Sequence, residues 1–165
     1  GDINGSRGDV FVFKLSSDGS TLIFATYLGG GRDEEGKAIH VVSQTNRVYV
    51  AGFTNSADFP VTSNAFQKIK TGSTVEGFVS CLDIVQGNLL YSTFIGGIGK
   101  DQINDIKVDN LNNVWIGGET QSTDYPTTTN ALLTNYQGGP YDGFISVLDP
   151  NLSQLKYSSY FGGSN

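Results

Sequence analysis

Histidine, cysteine and tryptophan occur once each in these 165 residues, and methionine not at all. The lone cysteine, Cys81, makes no intrachain disulfide, so cysteine usage does not decide the redox compartment. Mid-strand and without a histidine partner in the pattern, it reads as a small apolar filler rather than a nucleophile. The lone histidine, His40, is the only residue on which a histidine-based triad in this segment can be built. It alternates with Ile39 and Val41 and reads as an outward-facing strand residue. Charged residues make up 16%, and 10 Lys and Arg against 16 Asp and Glu give a formal net charge of −6. That balance supplies no basic surface for nucleic acid. There is no apolar run long enough for a transmembrane helix, and Gly1-Asp2-Ile3-Asn4 lacks the charged-then-apolar order of a signal peptide. Phosphate-loop, zinc and dinucleotide-binding spacings are also missing.

What is present is repetition. Tyr27-Leu28-Gly29-Gly30 returns as Phe94-Ile95-Gly96-Gly97 and as Tyr160-Phe161-Gly162-Gly163, about 66 residues apart each time. Val10 to Leu15, Phe78 to Leu82 and Phe144 to Leu148 are apolar on both faces and read as strands buried on two sides. Turn chemistry at Asp18-Gly19, Gly87-Asn88 and Asp149-Pro150-Asn151 leads to a second strand that ends at the glycine pair. A third strand carries Ile39 and Val41, or Ile106 and Val108. The fourth is Val48 to Gly52, or Val114 to Gly118. A long connection then carries Asp58-Phe59-Pro60 and Asn64-Ala65-Phe66, answered by Asp124-Tyr125-Pro126 and Asn130-Ala131-Leu132. The residues before Pro60 and Pro126 are held extended.

Four antiparallel strands per unit, apolar on both faces, need neighbouring sheets to cover them, and radial stacking meets that need. The expected fold is all-β, a partial β-propeller of four-stranded antiparallel blades with about two and a half blades in the chain. Residues 1–9 read as the end of a preceding connection. Residues 10–76 and 77–142 read as two blade repeats, and 143–165 as the first two strands of a third. Asp9 to Leu15, Asp18-Gly19-Ser20, Ala25 to Gly30, Asn46 to Gly52 and the Asp58 and Asn64 motifs together resemble the bacterial SBBP β-propeller repeat. The resemblance implies a six- or seven-bladed propeller on secreted or cell-surface proteins. It also implies the remaining blades of a longer chain as partners. It carries over no catalytic or metal residues.

Candidate contact residues lie in the long connections: Asp58, Phe59, Asp124, Tyr125, Tyr136 and Tyr141. For Phe59 and Tyr125 the preferred reading is that they pin their loops. Asp33-Glu34-Glu35 follows the first glycine pair and Asp101 the second, and Asp33, Glu34 and Asp101 are the candidates for calcium. Their spacing is not that of an EF-hand, so a solvated turn is preferred and no cofactor is expected. Gly29, Gly30, Gly96, Gly97, Gly162, Gly163, Pro60 and Pro126 are expected to be structural. The function expected is a non-enzymatic structural or recognition module of an extracellular propeller that binds proteins or glycans. The alternatives are part of a propeller hydrolase or lyase with its site mostly elsewhere, and a spacer or filament subunit associating through open sheet edges.

Overall fold

The computed structural model describes residues 8–72 and 74–163, so most of the expected N-terminal connection lies outside the described residues. Among the described residues ten strands form three antiparallel sheets. The first is a pair, β1 (Val10–Leu15) with β2 (Leu22–Leu28). The second runs in the order β3 (Glu34–Val42), β4 (Arg47–Thr54), β5 (Glu76–Asp83) and β6 (Asn88–Ile95). The third repeats it with β7 (Asp101–Val108), β8 (Val114–Thr120), β9 (Asp142–Leu148) and β10 (Leu155–Phe161). The chain is all-β, arranged as a partial propeller.

One expectation is corrected. The four strands of a sequence repeat do not share a sheet. β4 pairs with β5 from Arg47↔Asp83 to Thr54↔Glu76, across the expected boundary at 76/77, and β8 pairs with β9 across the boundary at 142/143. The long connection lets the fourth strand of one repeat meet the first strand of the next. The short glycine-pair link, in contrast, carries the chain out of one sheet and into the next. The sheets therefore span 10–28, 34–95 and 101–161 among the described residues, and the two-stranded sheet is the first, not the last.

β7 lies against β3, β4 and β5 of the second sheet. Between these sheets Tyr49, Ala51, Val79, Cys81 and Ile95 meet Ile103, Ile106, Val114 and Ile116. The opposite face of the second sheet packs Val48, Val50, Phe78 and Leu82 with Val10, Val12 and Leu28 of the first. Apolar residues on both faces of β5 are thus explained by two neighbours, as two-sided burial requires. The long connection closes the outer edge of each complete sheet, where an unpaired ladder invites association. Thr62 N–H donates to Ser92 O, and Phe94 N–H to Gln67 O. Thr128 N–H and Tyr160 N–H repeat those bonds with Ser158 O and Leu133 O. The small residues Ser92 and Ser158 also form buried hydroxyl pairs across the sheet, with Ser80 at 2.8 Å and Ser146 at 2.7 Å.

His40 does not project into open solvent. It is half-buried, while Ile39 and Val41 are exposed. Both faces of β3 are faces between sheets, and the first sheet supplies only two strands to cover the Ile39 side. The equivalent Ile106 has a full neighbour and is buried. Cys81 is fully buried in the core between sheets, where burial pushes its thiol up to about 11.

Candidate functional site

The repeated polar residues gather where the chain passes from one sheet to the next. At the second junction Asp101, the first residue of β7, is fully buried. It accepts from Gly97 N–H at 2.8 Å, Ser122 Oγ at 2.8 Å and Thr120 Oγ1 at 2.5 Å. Asp101 stands opposite Thr120 in the β7–β8 register, so strand pairing itself brings the groups together. Asp124 Oδ1 then accepts from Ile98 N–H, and Ser122 Oγ from Gly99 N–H. Three successive N–H groups of the link are thereby satisfied by side chains, in place of a backbone ladder.

The first junction repeats the arrangement. Glu34 accepts from Gly30 N–H and Thr54 Oγ1, Asp58 Oδ1 from Gly31 N–H, and Ser56 Oγ from Arg32 N–H. Asp58 and Asp124 hold these links although both remain exposed to solvent. Glu34 and Asp101 are buried acceptors rather than residues of solvated turns. They sit at different junctions, and Asp33 accepts from Gly8 N–H at 3.3 Å. Among the described residues no three His, Cys, Asp or Glu side chains converge on one point.

The glycine pairs serve these acids in a way the sequence reading missed. The positive-φ glycines among the described residues are Gly19, Gly87, Gly138 and Gly139, not the pairs. A Cβ on Gly96 would meet Asp101 Oδ2 at 2.5 Å and Glu76 Cγ at 2.8 Å, so two carboxylic side chains close on the space that it leaves. Asp9 and Glu34 close on Gly29 in the same way, and Asp142 on Gly162. Glu76 and Asp142 are therefore a second set of buried acids. Their signal was available, since Asp9, Glu76 and Asp142 occupy one repeat position. Glu76 accepts from Thr71 and Gly72 N–H. Asp142 Oδ2 accepts from Gln137 N–H, whereas Oδ1 has no partner among the described residues.

Phe59 and Tyr125 belong to the cores. Phe59 packs tilted on Phe78 at 4.5 Å, and Tyr125 stacks on Phe144 at 4.4 Å between centroids. Tyr125 N–H donates to Tyr160 Oη, whose hydroxyl donates to Ser122 O. Both rings are buried. Pro60 and Pro126 follow them at the turn into the edge-covering segment. Tyr136 is half-buried, its ring at 6.1 Å from Tyr160 and its hydroxyl on Gly139 O. Tyr141 is exposed. Gly162 and Gly163 are exposed where Gly96 and Gly97 are buried.

Burial raises the pKa of Asp101 against the bonds from Thr120, Gly97 and Ser122, and nearby Asp124 raises it further. Burial likewise raises Glu76, opposed by the Thr71 and Gly72 N–H groups and Lys70, with Asp101 adding repulsion. A carboxyl whose folded pKa is raised stabilises fully below its unfolded value, and that share is lost as pH climbs through the folded value. The melting temperature is therefore expected to be higher at pH 5 than at pH 8, with Glu76→Gln flattening the slope. Calorimetry across that range checks it, and a melting point that rises from pH 5 to 8 would overturn it. Asp109, lowered to about 2 by Trp115 Nε1–H and Asn113, titrates outside the window.

Residues 90–126 match the SBBP beta-propeller repeat. The match runs from β6 through β7 and β8 to Pro126, so the family's repeat also straddles two sheets. No curated protein matches the chain. No helix among the described residues is long and apolar enough to cross a membrane.

Proposed function

From the premise that this chain carries an SBBP beta-propeller repeat, we propose that it is a non-enzymatic structural and recognition segment of an extracellular propeller. In this reading its two open sheet faces are covered by further blades, and its junction loops meet proteins or glycans. One comparison supports it. Tyr49, Val79 and Ile95 of the second sheet, with Phe66 of the connection between β4 and β5, are packed in the core shared with the third sheet. Their counterparts in the third are Trp115, Ile145, Phe161 and Leu132, and all four are exposed around a groove of about 630 Å³. Tyr49 is 1% exposed and Trp115 41%, Ile95 0% and Phe161 69%. Burying one such side chain contributes about 1.5–3 kcal/mol, so the same residue types are in place for one more contact of the kind the chain already makes.

Trp115 is the only tryptophan, which makes its fluorescence a direct probe of the open face. Its emission is expected to shift to the blue in a chain extended by one further repeat after Asn165. An unchanged spectrum in a folded extension would show that no blade packs there. The recognition arm is tested by probing the same protein against arrays of surface glycans and proteins.

A further inference from the structure

The repeat provides its own control for what the fold needs. At the first junction a cavity of about 560 Å³ is lined by Gly31, Arg32, Asn55, Asp58, Lys70 and Gly72 among others. The matching positions of the second junction are Ile98, Gly99, Gln121, Asp124, Tyr136 and Gly138. The framework is retained in both, since Asp58 and Asp124 accept from Gly31 and Ile98 N–H, and Ser56 and Ser122 from Arg32 and Gly99 N–H. The cations are not retained: glycine stands for Arg32 and tyrosine for Lys70. The second junction closes without a charge at either place, Tyr136 Oη donating to Gly139 O where Lys70 Nζ donates to Gly72 O, so the fold needs a donor at the second position but not a cation at either.

Arg32 is exposed, and its guanidinium makes no hydrogen bond or ion pair among the described residues. Lys70 is half-buried, with Nζ donating to Gly72 O. Burial and the neighbouring Arg32 both disfavour its charge, while Glu76 and Asp101 favour it. Arg32 and Lys70 both line this open cavity, and an anion placed between them pairs with a guanidinium that has no partner among the described residues. Asp58 also lines the cavity, where its Oδ2 and the Asn55 side chain make no hydrogen bond among the described residues. A bare anion meets repulsion from that carboxylate. A ligand with a carboxylate at one end and hydroxyls at the other satisfies both sets, and the volume lies in the range of small-molecule sites.

We propose that this cavity binds an acidic sugar of the hexuronate class, its carboxylate bridged by Arg32 and Lys70 and its hydroxyls donating to Asp58 and accepting from Asn55. The proposal rests on the recognition reading above and narrows it to one junction and one ligand class. The test is titration of the isotopically labelled chain with glucuronate, glucose and inorganic sulfate, following the Arg32 and Lys70 side-chain signals. Arg32→Gln and Lys70→Gln are carried in parallel, with their melting points checked against the parent. Glucuronate is expected to saturate, each variant to weaken it by about tenfold or more, and glucose not to saturate. Absence of saturation, equal affinity in the folded variants, or sulfate binding as tightly as glucuronate would each overturn the assignment. Array binding that persists in both variants would retain the recognition reading while removing this site from it.

Discussion

Gly118→Ala lowers the stability of the chain by about 3 kcal/mol or more, a fall in Tm of roughly 6–12 °C for a protein of this size. The cause is a bulge. The register of β7 against β8 slips between Ile103 and Asp105, leaving Asn104 as the extra residue of a bulge, which bends its strand. The carbonyl oxygen of Gln102 then occupies the place that a Cβ of residue 118 would take. A backbone oxygen cannot swing aside as a flexible side chain does, so either β7 shifts or the bulge is lost. Gly52 meets Glu35 O in the second sheet, beside the slip between Gly36 and Ala38, and alanine there is equally costly. Gly117→Ala is the control. Its Cβ would find only Phe144 O, at 3.6 Å, an ordinary contact, and glycine inside a strand is intrinsically weak. Thermal unfolding followed by circular dichroism compares the three, and Gly118→Ala melting with the parent would remove the bulge as the reason for these glycines.

The strands themselves were legible because each carries its composition locally. Val10 to Leu15 and its two counterparts look buried on two sides, and for β5 every residue but the last is buried. Which strands share a sheet was not legible, because either grouping yields four antiparallel strands from the same repeats. The choice depends on a pairing across the long connection, Thr54↔Glu76, that no periodicity encodes. Exposure of Ile39 and Val41 was unreadable for a related reason: it depends on how many strands the neighbouring sheet contributes, not on alternation along β3. The junction chemistry was legible in part. Asp58 and Asp124 stood out by position, but their tie to the N–H groups of Gly31 and Ile98 needs the fold, since the partners lie 27 and 26 residues away. The cation pair could have been found from sequence alone, by asking which charges of the first repeat fail to recur in the second.

Phe94→Ala is expected to cost about 3–5 kcal/mol, while Tyr27→Ala at the same repeat position stays within about 0.5 kcal/mol of the parent. Phe94 is 0% exposed and Tyr27 72%, though both are the aromatic residue three places before the second glycine of the pair. Phe94 packs on Phe59 at 6.0 Å and belongs to the cluster that also holds Phe78 and Leu82. Its N–H is bonded to Gln67 O of the edge-covering segment. Truncating it leaves a void walled by two long-range elements that cannot collapse together, so the cavity term adds to the lost burial. Among the described residues no connection plays the part of Phe59 for the first sheet, and Tyr27 touches Phe11 from solvent with centroids 5.4 Å apart. If context and not residue type sets the energy, Tyr27→Ala becomes costly only where a covering connection and two further strands of that sheet are supplied. Equilibrium denaturation of the two variants distinguishes the cases. Equal losses at Phe94 and Tyr27 in the 165-residue chain would mean that the first sheet is already covered, and the open face assigned to it would have to be abandoned.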